Sequence, residues 1–132
     1  MAERHSIDIQ VRFADSDAMG HINNTCYAAY AEVARLDLLA AVGEQVSNMI
    51  LASLTIEFRK QVSFTDAVRV ETWVKKVGNS SFELAQEIFA NDQLAAEVRS
   101  VIVQFDYASQ KSRALGPDMR EALGRYILPA GS

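Results

Sequence analysis

The chain has 132 residues, of which 49% are hydrophobic and 23% are charged, with one Cys and a formal net charge of -4. This length and apolar content predict a single globular domain spanning residues 1–132 and exclude a disordered chain. The acidic balance argues against a nucleic-acid partner, and the lone cysteine argues against a disulfide framework and fits a reducing compartment.

Membrane insertion and secretion are also not expected from the sequence. The longest stretches free of formal charge, residues 18–31 and 45–56, are shorter than the ~18 apolar residues that a membrane span requires. The start of the chain shows no apolar signal segment and no cleavage pattern. We therefore expect a cytoplasmic protein that makes no membrane contact.

The first half of the chain predicts a strand, a loop and a long helix. Apolar residues alternate over residues 7–13, which indicates a half-buried strand. Residues 14–24 are mostly polar and predict a loop. Over residues 25–42 apolar residues recur every three or four positions, which predicts a helix with one buried face.

Local signals mark the two ends and the surface of this helix. Asn23 and Asn24 suit its N-cap, where a side-chain oxygen accepts a bond from a backbone N–H group. Gly43 suits its left-handed C-terminus. Glu32 and Arg35 are spaced to form a weak ion pair on the surface.

Alternation with a period of two returns after the helix. It predicts four further strands, at residues 50–59, 68–74, 82–88 and 94–107. The Asn91-Asp92 pair suits a tight turn. Residues 101–103 are apolar on both faces, which predicts either a bulge near residues 99–100 or a segment covered on both sides. With a final helix over residues 117–128, the pattern indicates an α+β domain in which the helix crosses one face of an antiparallel meander.

The densest polar cluster lies at residues 15–24, between the first strand and the long helix. It contains two acids, one His and two amides. Backbone N–H groups at a helix start lack internal partners, so they can polarise a carbonyl oxygen. A nearby carboxylate can act as a nucleophile or as a base toward water, which suits acyl transfer. The alternative is structural, because such residues are common caps and turn formers.

This segment resembles the opening of a known enzyme family. The family pattern is roughly F-x-D-x-D-x-x-G-H-x-N-N, followed by a helix with Y-x-x-Y and E-x-A-R. The matching residues are Phe13, Asp15, Asp17, Gly20, His21, Asn23, Asn24, Tyr27, Tyr30, Glu32, Ala34 and Arg35. Residues 76–82 resemble the family's turn between its third and fourth strands. On these motifs the chain resembles the hotdog-fold acyl-CoA thioesterases, in the branch related to 4-hydroxybenzoyl-CoA thioesterase.

The resemblance implies a fold and a reaction. The fold is a five- to six-stranded antiparallel sheet wrapped around one long central helix, plus a short C-terminal helix. The reaction is hydrolysis of an acyl-CoA to free acid and coenzyme A, with Asp17 as nucleophile or general base. Helix-start amides from Asn24 onward would polarise the thioester carbonyl. His21 would orient Asp17 or contact substrate, and Asp15 would stabilise the loop.

Further residues are expected to contact the substrate. They are Tyr27, Gly78, Asn79, Ser80, Ser81, Arg59 and Lys60. The turn at residues 78–81 is included by resemblance, and the basic pair because Lys and Arg can bind phosphates, although basic residues also protect strand ends. Coenzyme A is part of the substrate, so no cofactor is expected. No H-x-x-H or C-x-x-C spacing occurs, so no metal site is expected.

Three alternatives stay open beside the thioesterase hypothesis. Cys26 is a possible nucleophile, although its place in an apolar helix is better explained as a small buried residue. A hotdog hydratase or dehydratase is disfavoured, because that pattern, D-x-N-P-x-H, places four residues between Asp and His, whereas three separate Asp17 from His21. A non-catalytic module that binds an acyl thioester is the third alternative, and an intact Asp17 argues against it.

The size of the chain bears on its assembly. A small domain has little room for a buried substrate cavity, and a sheet with exposed edges requires covering or pairing. The resemblance implies that two copies pair edge to edge as a homodimer with active sites at the interface, and that dimers pair again into a homotetramer.

Overall fold

The computed structural model describes residues 3–43 and 48–128. In chain order it contains β1 (His5–Ile9), a 3-10 turn (Phe13–Asp15), α1 (Asn24–Ala41), β2 (Met49–Phe58), β3 (Val68–Val77), β4 (Ser81–Ala90), β5 (Gln93–Asp106), β6 (Lys111–Ser112) and α2 (Pro117–Gly124). These elements confirm the predicted α+β class. In the described part of the chain, no helix is both long and apolar enough to span a membrane.

The strands form one antiparallel sheet in the order β1-β3-β4-β5-β2, with the short β6 paired to β5. Three consecutive strands, β3 to β5, form the predicted meander. The prediction that β2 precedes them as its neighbour was wrong, because β2 pairs with β5 at the far edge of the sheet. The β2–β3 connection therefore has to return across the sheet, and it passes the start of α1 on the way.

Two predicted boundaries were also wrong. The first strand stops at Ile9, because Arg12 and Asp15 close a turn in which the Arg12 N–H donates to the Asp15 carboxylate at 3.1 Å. The last helix ends at Gly124, four residues early. Beyond it the chain joins the sheet, where the Val74 N–H donates to the Tyr126 carbonyl at 2.8 Å.

The predicted bulge is absent from residues 99–100. Both of these residues pair in regular register with β4 and with β2. The register shift in the β2–β5 pairing lies instead on β2, between Leu51 and Ser53, and that in the β4–β5 pairing lies between Ile88 and Phe89. Since β5 lies between two strands for most of its length, the apolar residues 101–103 belong to an interior strand.

The two ends of α1 and the β4–β5 turn form as the sequence predicted. Asn23 is the N-cap of α1, and its side-chain oxygen accepts a bond from the Thr25 N–H at 2.9 Å. Gly43 follows the helix with a φ of 80°, in the left-handed region. The Asn91-Asp92 pair has φ values of 51° and 66°, as a tight hairpin turn requires.

The buried face of α1 packs on the inner face of the sheet in two apolar clusters. The cluster at the start of the helix contains Tyr27, Tyr30, Ala31 and Ala34 and packs against the beginning of β3 and the end of β4. The cluster at its other end contains Leu38 and Leu39, which pack against Val74, Phe82, Leu84 and α2 residues. Burying each large side chain stabilises the fold by about 1.5–3 kcal/mol, so the two clusters fix α1 on the sheet.

Arg35 departs from the prediction. Its ion pair with Glu32 forms at 3.8 Å, but the Arg35 side chain is buried and only Glu32 is exposed. Burial lowers the pKa of the Arg35 guanidinium. Its stem therefore belongs to the packed face of α1, where the sequence pattern placed a surface residue.

Candidate active site

Asp17 lies in a tight turn just before α1. Its Oδ1 accepts backbone N–H bonds from Met19 at 2.8 Å and from His21 at 3.2 Å. Gly20 completes the turn with a φ of 82°, a conformation that residues with a side chain rarely adopt. The carboxylate is thus exposed but held in orientation through one oxygen. Its Oδ2 accepts no hydrogen bond from residues 3–43 or 48–128, so this oxygen is available to a reacting group.

The start of α1 lies beside the Asp17 turn, and the first backbone N–H groups of a helix have no partner within the helix. Asn23 takes up two of the first helical amides, because its side chain accepts from the Thr25 N–H and its carbonyl accepts from the Cys26 N–H, both at 2.9 Å. The Asn24 N–H has no acceptor among the residues that the structure describes. It is therefore the donor at the helix start that fits a developing oxyanion.

These groups surround an open cavity of about 330 Å³. The cavity is lined by Asp17, His21, Ile22, Asn23, Asn24, Tyr27 and Gln61. The structure therefore brings together four of the predicted site residues, Asp17, His21, Asn24 and Tyr27. It adds Gln61, which no sequence pattern indicated because it lies in the irregular β2–β3 connection. That connection is fixed here by the Ile22 N–H, which donates to the Val62 carbonyl at 2.7 Å.

Tyr27 forms one wall of this cavity and is already engaged within the fold. Its hydroxyl donates to the Lys60 carbonyl at 3.2 Å, and its ring makes an edge-to-face contact with Phe58 at 5.0 Å between centroids. Burial raises the pKa of the Tyr27 phenol, so it is protonated at neutral pH. Tyr27 thus links the start of α1 to the end of β2 and the beginning of the β2–β3 connection.

Asp15 has a different environment from Asp17, as expected for a residue that stabilises the loop. It is buried, and its carboxylate accepts bonds from the Arg12 backbone N–H, the Arg12 guanidinium and the Tyr30 hydroxyl, the last at 2.8 Å. Burial alone would raise the Asp15 pKa, but these bonds outweigh it and hold the pKa below 3.8. Burial and the Asp15 charge raise the pKa of Tyr30. Asp15 is therefore a buried anchor under the loop that is charged at neutral pH.

Cys26 contacts Asp15 and is not among the residues that line the Asp17 cavity. Its Sγ is 3.7 Å from the Asp15 carbonyl oxygen, and its side chain is half-buried. Burial and the nearby Asp15 charge raise the pKa of the thiol. A thiol that stays protonated at neutral pH is a poor nucleophile, so this environment fits a packing residue.

The predicted basic pair, Arg59 and Lys60, lies close to the cavity, but both side chains bind other side chains of the protein. The Arg59 guanidinium contacts Glu57 and Glu97, both at 2.5 Å. The Lys60 ammonium donates to the Gln93 side chain at 2.7 Å. Both are exposed, so a ligand phosphate would have to compete with these partners.

The turn at residues 78–81 lies at the other end of the molecule. The flanking residues Val77 and Phe82 pack with Leu38 and Leu39, near the end of α1, whereas Asp17 lies near its start. An 18-residue helix is about 27 Å long. Within one chain, the structure therefore does not bring this turn to Asp17.

Within residues 3–43 and 48–128, no three His, Cys, Asp or Glu residues are grouped closely enough to hold a metal ion. The functional groups that line the cavity are the Asp17 carboxylate, the His21 imidazole, amide side chains such as that of Gln61, and the start of α1 at Asn24.

Comparison with known proteins agrees with this geometry. The chain is 26% identical over 116 residues to the acyl-CoA thioester hydrolase YbgC of Escherichia coli, covering 81% of this chain and 86% of that one. It is 25% identical over 127 residues to the long-chain acyl-CoA thioesterase FadM of Escherichia coli, covering 90% and 96%. The structure of a predicted thioesterase from Bacillus stearothermophilus superposes with a TM-score of 0.91 at 24% identity, covering 98% and 100%, which shows the shared fold.

An antiparallel sheet wrapped around one long helix is the hotdog fold. The family model of the thioesterase-like superfamily matches residues 11–123. The chain belongs to this superfamily and is a thioester hydrolase.

Proposed function

We propose that the protein hydrolyses acyl-CoA thioesters, with Asp17 as the catalytic carboxylate. The observation that carries the proposal is that one cavity is lined by both Asp17, whose Oδ2 accepts no hydrogen bond from the described residues, and Asn24, whose N–H finds no acceptor among them. The names of the two Escherichia coli relatives support an acyl-CoA substrate. Release of carboxylic acid and coenzyme A requires one water for each thioester, and these residues supply a base or nucleophile and an oxyanion donor.

Two routes use the same residues. In one, Asp17 removes a proton from water as the water attacks the thioester carbonyl; the tetrahedral intermediate then expels the coenzyme A thiolate, which takes that proton from Asp17. In the other, Asp17 attacks the carbonyl itself, the thiolate leaves, and water then hydrolyses the mixed anhydride. In both, the Asn24 N–H donates to the carbonyl oxygen as negative charge develops on it. The backbone N–H of His21 donates to Asp17 Oδ1. His21 orients the carboxylate or contacts the substrate.

We also propose that two copies pair through their β2 strands. β2 is an edge strand, and it exposes the large apolar side chains Leu51, Leu54 and Phe58. Unpaired strand edges and exposed apolar surface favour association with a second chain. The resemblance supports a homodimer, with a further pairing into a homotetramer.

The direction of β2 explains how such a dimer would complete the site. The Met49 end of β2 pairs with Gln104, whose N–H donates to the Ser80 carbonyl at 2.9 Å. The Phe58 end contacts Tyr27 in the candidate site. Antiparallel pairing of two β2 strands places the Met49 end of one copy beside the Phe58 end of the other. The turn of one copy then approaches the Asp17 cavity of its partner.

The experiment is an acyl-CoA panel of short aliphatic, long aliphatic and aromatic thioesters, with detection of the free thiol. We expect turnover of at least one of them and a loss of about 10²-fold or more in Asp17→Asn. Asp118→Asn, a change on the exposed side of α2, is the matched control. Binding of acyl-CoA without turnover of any thioester would instead support the non-catalytic module.

A further inference from the structure

Gln61 is the residue that the β2–β3 connection contributes to the lining of the Asp17 cavity. The residue before it is held by hydrogen bonds of its backbone. The Lys60 N–H donates to the Ala95 carbonyl at 3.1 Å, and the Lys60 carbonyl accepts from the Tyr27 hydroxyl at 3.2 Å. The chain is therefore bound both to β5 and to the start of α1 immediately before Gln61.

The residues after Gln61 are bound to the loop that precedes α1. Val62 is buried, with 1% exposed, and its carbonyl accepts from the Ile22 N–H at 2.7 Å. Ser63 pairs with His21 in an antiparallel bridge. Gln61 thus lies between two anchored residues. Its backbone position at the cavity is set by these neighbours and needs no bond from its own side chain.

The Gln61 side chain contributes nothing to this anchoring. It is exposed, and it makes no hydrogen bond to residues 3–43 or 48–128. Gln86 shows the contrast, because its side chain is buried and donates to the Ala31 carbonyl and to Thr72 Oγ1, both at 3.0 Å. The Gln61 carboxamide is positioned by the fold but not used by it, so it is available to a molecule in the cavity.

A water molecule that attacks a substrate in this cavity needs acceptors for its two O–H groups. Asp17 Oδ1 is taken by two backbone N–H groups, which leaves Oδ2. The Asn23 side-chain oxygen is occupied, because it accepts from both the N–H and the hydroxyl of Thr25, at 2.9 and 2.8 Å. Gln61 Oε1 lies on the wall formed by the β2–β3 connection, and it is the acceptor that complements Asp17 Oδ2.

We propose that Gln61 orients the water that Asp17 activates. The inference rests on the proposed function and refines its first route, because it assigns a position to the second reactant. One O–H of the water donates to Asp17 Oδ2 and gives its proton there. The other O–H donates to Gln61 Oε1 and stays on the oxygen, which forms the new bond to the carbonyl carbon. The intermediate then breaks its C–S bond, and the thiolate takes the proton from Asp17.

Methanol as a second nucleophile separates this role from a general effect on the site. Water has two O–H groups and methanol has one, so methanol can give its proton to Asp17 but has no second hydrogen for Gln61. Both attack the same carbonyl with the same base, and the products are the acid and its methyl ester. The ratio of ester to acid therefore reports the bond to Gln61 and cancels changes that affect the whole site.

The experiment measures both products from one acyl-CoA in buffer that contains methanol, with the full chain. Gln61→Met removes the acceptor at nearly constant size, at an exposed position. We expect kcat for hydrolysis to fall about tenfold, as for one lost hydrogen bond, and KM and the methanolysis rate to stay within about twofold. The ester-to-acid ratio should then rise about tenfold. Gln61→Glu keeps an oxygen acceptor, so its ratio should stay within about threefold of wild type.

Gln10→Met is the matched control, since Gln10 is exposed and is not among the residues that line the Asp17 cavity. It should leave both rates unchanged. Equal falls in hydrolysis and methanolysis, an unchanged hydrolysis rate in Gln61→Met, or a rise in KM at constant kcat would each overturn the role of Gln61. The proposed function survives these three results, because Asp17→Asn tests it separately. A wild type that turns over no acyl-CoA would overturn both.

Discussion

Removing the Tyr30 hydroxyl tests the buried Asp15 anchor beneath the loop that carries Asp17. In Tyr30→Phe the Asp15 carboxylate loses the 2.8 Å bond to its Oδ2 and keeps only the bonds from Arg12. Both side chains are nearly fully buried, with 4% of Asp15 and 6% of Tyr30 exposed. This burial limits the access of water to the position of the lost donor. A hydrogen bond to a buried charged group contributes about 1.5–3 kcal/mol, so the free energy of unfolding should fall by that amount.

The measurement is urea unfolding at pH 7, followed by circular dichroism. At this chain length the expected loss corresponds to a fall in Tm of roughly 5–10 °C. Tyr107→Phe is the matched control, because Tyr107 is exposed and should tolerate the same change. A loss below about 0.5 kcal/mol in Tyr30→Phe would refute the reasoning, since it would place the Asp15 carboxylate in contact with water.

The destabilisation caused by Tyr30→Phe should depend on pH in a defined direction. The folded-state pKa of Asp15 lies below its unfolded value of 3.8. The contribution of the Asp15 charge to the free energy of unfolding is therefore complete at a pH above the unfolded-state pKa. It is lost as the pH falls through the lower, folded-state pKa. The difference in unfolding free energy between wild type and Tyr30→Phe should narrow between neutral and strongly acidic pH. A difference that widened with acid would contradict the assignment.

Three further predictions concern the loop, the thiol and the free edge. Gly20→Ala should destabilise the Asp17 turn by about 1 kcal/mol and lower kcat/KM, because φ is positive there, and an unchanged kcat/KM would contradict this. Cys26→Ser should keep kcat within about threefold and wild-type Cys26 should alkylate more slowly than a free thiol, whereas abolished turnover would restore Cys26 as a nucleophile. Leu54→Asp should shift the protein to monomer in sedimentation and reduce turnover, and an unaltered assembly would place the interface away from β2.

Signals that are local in sequence predicted the structure well. The N-cap at Asn23, the left-handed Gly43 and the turn at Asn91-Asp92 each depend on a few neighbouring residues, and each was confirmed. The helical period also gave α1 to within one residue at each end. Such features are decided by backbone conformation and by short-range hydrogen bonds, which the sequence states directly.

Features that depend on distant parts of the chain were predicted less well. Strand order was wrong for β2, because alternation shows that a strand is half-buried but not which strand lies beside it. Arg35 was placed on the surface because its charge outweighed its position on the packed face. Gln61 was missed, since only the return of the β2–β3 connection brings it to the cavity. The separation of Asp17 from the 78–81 turn likewise depends on the tertiary fold.

The measurement that tests the central claim most directly is kcat/KM of Asp17→Asn relative to wild type, for the acyl-CoA that the panel shows to be turned over best. The substitution keeps the Oδ1 acceptor that holds the turn and removes the charge from the group that reacts. Unchanged circular dichroism and unfolding would show that the fold is kept. We predict a fall of about 10²-fold or more. An activity close to that of the wild type, in a protein that folds normally, would contradict the assignment of Asp17 as the catalytic carboxylate.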